Sequence, residues 1–231
     1  MAAWWSKITS SPLLVRVAPF VVFLVLTSLQ GRLGEASHYW MYLAKTAVGG
    51  VLVWQMRRYV TEIEWRFTGA AIGAGILVFL LWIGLEDGVR ALGFAHSYPK
   101  FVHPTTTWNP LAFFAGAPAV GWLLVVVRIL GATLVVPPLE EVFYRSFLYR
   151  YLQQTDFLGV PLTRFSGFAF VLTSAIFAST HVEWLAALLC GFIYQGLVGW
   201  KGRLGDAIAA HALTNLLLGL WVVSRGAWHF W

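Results

Sequence analysis

Glu140 and Glu141 stand side by side in VVPPLEEVFYRSFLYRY, residues 135–151, and Arg145 follows four positions after Glu141. A carboxylate can act as a general base on water, and charge in an apolar chain is costly enough to need a purpose. Pro137 and Pro138 predict the end of one helix and the start of another, with both glutamates in its first turn, where the helix dipole favours anions. Glu141 and Arg145 then share a helix face in the favourable order, acid before base. Glu140 lies about 100° round from Glu141 and outside that pair. Spacing thus assigns Arg145 to Glu141 and leaves Glu140 as the base. Taken alone, the same residues also describe the solvated mouth of a helix at a membrane surface.

Two further polar interruptions occur downstream. SAIFASTH ends in His181, and DAIAAHALTNLLLG carries His211 and Asn215 one helical turn apart on one face. His211 lies about 10 Å into an apolar helix, where a titratable ring needs a partner. His181 alone reads as a helix-end residue, and Asn215 alone as a packing hydrogen bond between helices. Asp206 falls in a first turn, the ordinary place for an acid, and needs no catalytic role. Together, on three helices of the C-terminal half, these groups are not easily explained as packing.

The elements that must position these groups are apolar helices. The chain is 59% hydrophobic and 11% charged, with thirteen Trp and eight Tyr suited to interfacial belts. Apolar segments run over 12–30, 40–55, 69–85, 111–136, 166–181, 184–200 and 204–223. With a shorter helix from Glu140 to about Gln154, too polar to span comfortably, they predict an all-α polytopic membrane protein of about eight helices. Lys45, inside the second segment, can snorkel, and Gly69, Gly73 and Gly75 offer the third a small-residue packing surface. No repeat or hydrophilic domain divides the chain, so 1–231 reads as one membrane domain, with accessory helices over 1–110 and the chemistry over 111–223.

The net charge of +6 is scattered rather than clustered, so it reads as topology and not as a nucleic-acid footprint. With a non-spanning Glu140 helix, nine cations (Lys7, Arg57, Arg58, Arg66, Arg145, Arg150, Arg164, Lys201, Arg203) lie on one side and four (Arg32, Arg90, Lys100, Arg225) on the other. That bias predicts a cytoplasmic N-terminus. Cys190 is the single cysteine, which excludes an internal disulfide, and His96 and His103 lack partners at ligand spacing and receive no role.

The order EExxxR, FxxxH, HxxxN resembles the intramembrane CAAX-protease and bacteriocin-processing family, which includes the type II CAAX prenyl endopeptidases. Here these motifs are Glu140, Glu141 and Arg145; Phe177 and His181; His211 and Asn215. The resemblance covers roughly residues 111–223, and FYRSFLYRYL also looks like the branch associated with bacterial exosortase systems. It implies a metal-independent glutamate endopeptidase of the bacterial inner membrane, with no cofactor and a polar cavity within the bilayer. Glu140 and His181 would activate water, His211 and Asn215 would form the oxyanion site, and Glu141, Arg145 and Phe177 would support them. The implied partner is a membrane-associated peptide or protein, CAAX-like or linked to a secretion system.

Three other readings use the same residues. A zinc peptidase lacks HExxH or comparable spacing. A proton-coupled transporter lacks an inverted repeat. A non-catalytic peptide-binding or immunity protein would use the same cavity without cleavage, although no expected catalytic group is missing.

Overall fold

Local sequence signals set the first helix of the computed structural model, which describes residues 8–91 and 107–231. Ser11 accepts a hydrogen bond from the Leu14 amide at 3.3 Å and Pro12 fills the first turn of α1, Pro12–Ser28. There follow α2 (Ser37–Met56), α3 (Gly69–Ala91), a one-turn helix (Pro110–Phe113) and α4, a continuous helix over Pro118–Tyr151. The chain ends with α5 (Gly167–Ser179), α6 (Trp184–Lys201) and α7 (Gly205–Arg225). No strand occurs among the described residues. Helices α3, α4 and α7 are long and apolar enough to cross a membrane; α1 and α5 are apolar but shorter. Lys7, His96, Lys100 and His103 lie outside the described residues, as does most of the connection that contains the last three.

Helix α4 corrects the expected break at Pro137 and Pro138. The two predicted helices, 111–136 and the one from Glu140, are a single helix that starts at Pro118 and includes both prolines. Gly131–Val135 is π-helical, with the Val136 amide donating to the Gly131 carbonyl, five residues back. A proline ring normally clashes with the carbonyl four residues before it, and the wider turn relieves that clash without ending the helix. The glutamates are therefore not in a first turn, and the dipole argument for them fails. Val142–Leu148 is a second π-helical stretch. In such a turn, positions four and five apart both return to one side, so spacing alone no longer assigns Arg145 to Glu141 rather than Glu140.

The described chain forms two compact units: Met1–Thr61, Thr106–Phe143 and Asn215–Trp231 in the first, Glu62–Thr105 and Tyr144–Thr214 in the second. In the first unit α1 packs on α2, and α2 on the π-turn of α4, where a Cβ added to Gly49 would come within 2.6 Å of the Val135 side chain. Lys45 does not snorkel. It is 6% exposed, and its Nζ donates to Thr27 Oγ1 at 3.1 Å.

In the second unit α5 packs on α6, where a Cβ on Gly191 would meet Ser174 Cβ at 2.8 Å. Of the three glycines early in α3, only Gly75 makes a close approach: a Cβ there would lie 2.7 Å from the Ala210 carbonyl of α7, whereas Gly69 and Gly73 face open space. A polar clasp closes one end of this unit. Arg150 pairs with Glu62, Ser146 Oγ donates to the same Glu62 carboxylate at 3.0 Å, and the Leu204 amide donates to the Glu62 carbonyl at 3.0 Å. The clasp ties the loop before α3, the end of α4 and the start of α7, and so holds the segment that carries Arg145.

Candidate active site

Phe177 is the centre of the cluster in the second unit. It is buried in the last turns of α5, with its ring centroid 4.5 Å from His181, 6.4 Å from His211 and 4.8 Å from the Arg145 guanidinium carbon. Tyr144 meets it edge-on at 5.2 Å. These rings bring Arg145, Phe177, His181 and His211 together.

His181 lies just past the end of α5, and its Nδ1 is 2.9 Å from the Phe177 carbonyl oxygen. A carbonyl only accepts, so this contact is a hydrogen bond in the tautomer that carries its proton on Nδ1, which places the lone pair on Nε2. The Thr180 hydroxyl donates to the same carbonyl at 2.8 Å, and the Trp82 ring stands edge-on to the imidazole at 5.7 Å. His211 is buried against the face of Tyr194, with centroids 5.2 Å apart. Tyr194 donates to Thr214 Oγ1 at 2.7 Å, and Thr214 donates to the Gly75 carbonyl at 2.8 Å, which fixes the helix that carries His211.

Glu140, Glu141 and Asn215 belong to the first unit. Glu141 is fully buried, whereas Glu140 is partly exposed as a residue although its Oε2 is buried. Asn215 Nδ2 donates to the Ala132 carbonyl at 2.8 Å. That carbonyl is orphaned by the local sequence: the amide that would serve it in an α-turn, Val136, is given to Gly131, and Pro137, which would serve it in a π-turn, has no N–H. One amide hydrogen of Asn215 is thus committed and a second remains on the same nitrogen.

Sequence reasoning missed Tyr194, Trp82, Thr180 and the Glu62–Arg150–Ser146 clasp. Tyr194 carried one available signal, a hydroxyl inside an apolar segment that must find a partner. Asp206, in the first turn of α7, accepts from Thr68 Oγ1 and from Arg203 Nε, and so has a structural role. Among the described residues, no three His, Cys, Asp or Glu side chains gather as a metal site.

Residues 121–217 match a family model, Type II CAAX prenyl endopeptidase Rce1-like. All of Glu140, Glu141, Arg145, Phe177, His181, His211 and Asn215 lie inside the matched segment. No curated protein and no solved structure matched the chain. The described residues include helices long and apolar enough to span a bilayer, and over residues 121–217 the chain is similar to the Rce1-like endopeptidases.

Proposed function

We propose that the protein is an intramembrane glutamate endopeptidase that needs no metal. The observation that carries this reading is that every position of the three motifs is filled, in order, within the segment matched by the Rce1-like model. On this reading Glu140 takes a proton from water while Nε2 of His181 accepts a hydrogen bond from the same water. The hydroxide formed attacks the scissile carbonyl. An N–H of His211 and the second amide hydrogen of Asn215 stabilise the oxyanion, and the proton held by Glu140 passes to the leaving amine. The partial exposure of residue Glu140 against the burial of Glu141, and the contact of His181 Nδ1 with the Phe177 carbonyl, support these roles.

The substrate class is a membrane-associated peptide or protein, CAAX-like or linked to a secretion system. The membrane is that of a bacterial inner membrane on this reading, and the excess of nine cations over four supports a cytoplasmic N-terminus. A reporter fused after Trp200 should then report the cytoplasm; a periplasmic signal would reverse the orientation.

Glu140→Gln tests the chemistry. It keeps size and hydrogen bonding but removes the base, so cleavage of a membrane-tethered peptide in liposomes should fall to background while the peptide is still captured. Undiminished cleavage would remove the glutamate-base mechanism. A biological role that survives without cleavage would favour the binding-protein reading.

A further inference from the structure

Lys45 and Arg128 are two cations of the first unit that the proposed chemistry does not use. The Lys45 ammonium lies 4.5 Å from the centroid of the Tyr42 ring and 5.0 Å from that of Phe23. The Arg128 guanidinium lies 5.0 Å from the same Tyr42 centroid, 4.4 Å from Trp108 and 5.0 Å from Trp231. Two cations therefore share one phenol ring. Among the described residues, neither pairs with a carboxylate. A ring face returns less to a cation than is lost when the charge leaves water.

The surroundings of this pair are those of a membrane interface. Thr27 is in the last turn of α1, Tyr42 and Lys45 are in the first turns of α2, Trp108 precedes α4 and Trp231 follows α7. Long helical side chains lean towards the N-terminus of their own helix, so the heads of Lys45 and Arg128 are drawn towards this end of the unit. Trp and Tyr rings mark headgroup depth, where the abundant anion is lipid phosphate. Tyr39 and Trp108 also line an open cavity of about 400 Å³, together with His38, Asn109 and, at its exposed rim, Glu35.

We propose that this end of the first unit binds the headgroup of a net-anionic phospholipid, with Arg128 as its contact and Lys45, buried behind Tyr42, adding positive potential. The site uses none of the proposed catalytic residues and does not depend on their chemistry.

The full chain in phosphatidylcholine nanodiscs with a rising share of phosphatidylglycerol tests this. Wild type should retain phosphatidylglycerol in native mass spectrometry, with a thermal midpoint higher by several degrees. Arg128→Met and Lys45→Met should each remove most of that rise, and Arg225→Met, an exposed control, should keep it. In pure phosphatidylcholine Arg128→Met should be at least as stable as wild type, because an uncompensated charge has been removed. An unchanged rise in both variants would overturn the proposal, as would equal loss in Arg225→Met. A lower midpoint for Arg128→Met in pure phosphatidylcholine would show that the rings alone satisfy the cation, and overturn it too. Inorganic phosphate at millimolar concentration reproducing the rise would overturn the lipid as the source of the anion.

Discussion

The side chain of Asn215 occupies a hydrogen-bonding vacancy that Pro137 helps to create, because its amide reaches the Ala132 carbonyl at 2.8 Å across 83 positions of sequence. One residue can thus serve both the fold and the oxyanion, and the two roles are separable. Asn215→Ala should lower turnover by about 10²- to 10³-fold through loss of an oxyanion donor. It should also lower stability by about 1 kcal/mol, because Ala132 is left unserved. Pro137→Ala supplies an N–H five residues after Ala132, so the double variant should regain stability but not turnover. Recovery of turnover as well would reduce Asn215 to a structural role. Thermal midpoints and single-turnover rates on the same preparations give both readings.

The Glu62–Arg150 pair is nearly enclosed, with side-chain exposures of 13% and 4%. Removal of one partner from such a pair leaves a charge uncompensated, at a cost of about 3–5 kcal/mol. Glu62→Ala and Arg150→Met should each reduce the folded yield sharply in mild detergent. Turnover per folded molecule should fall too, since the clasp holds the segment with Arg145. Normal yield and rate for both variants would show the pair to be dispensable.

Arg145 is fully buried beside Phe177, and we assign to it the task of holding Glu141. Arg145→Ala should therefore lower folded yield together with activity, and Glu141→Gln should resemble it. Glu140→Gln should instead lose activity at normal yield. The π-helical winding after Glu141 makes this a real test, because it brings Glu140 within reach of the same assignment. If Glu140→Gln has the stability defect and Glu141→Gln does not, the roles of the two carboxylates are exchanged.

Metal dependence is tested by chelation. The HExxH spacing of a zinc peptidase is missing, so purified protein should hold no stoichiometric transition metal, and cleavage should persist in chelator. Loss of cleavage in chelator with recovery on added zinc would restore the metallopeptidase reading.

What was legible in the sequence follows from local physics. Continuous apolar runs must bury their backbone polar groups in helices, so helix content and most helix positions could be read directly. Motif order singled out Glu140, His181, His211 and Asn215 because polar and ionisable groups are rare in such runs. Tertiary structure decided what depended on distant partners. Pro137 and Pro138 would end an isolated α-helix, yet α4 continues because a π-turn opens room for their rings and Asn215, far along the chain, serves the carbonyl left over. Lys45 has the length to snorkel but finds Thr27 and two aromatic rings instead. Of the early glycines in α3, only the one opposite the Ala210 carbonyl has a packing role, which no periodicity within α3 could reveal. Hydropathy and spacing report on neighbours along the chain, whereas a vacant carbonyl or a ring face is offered by residues tens of positions away.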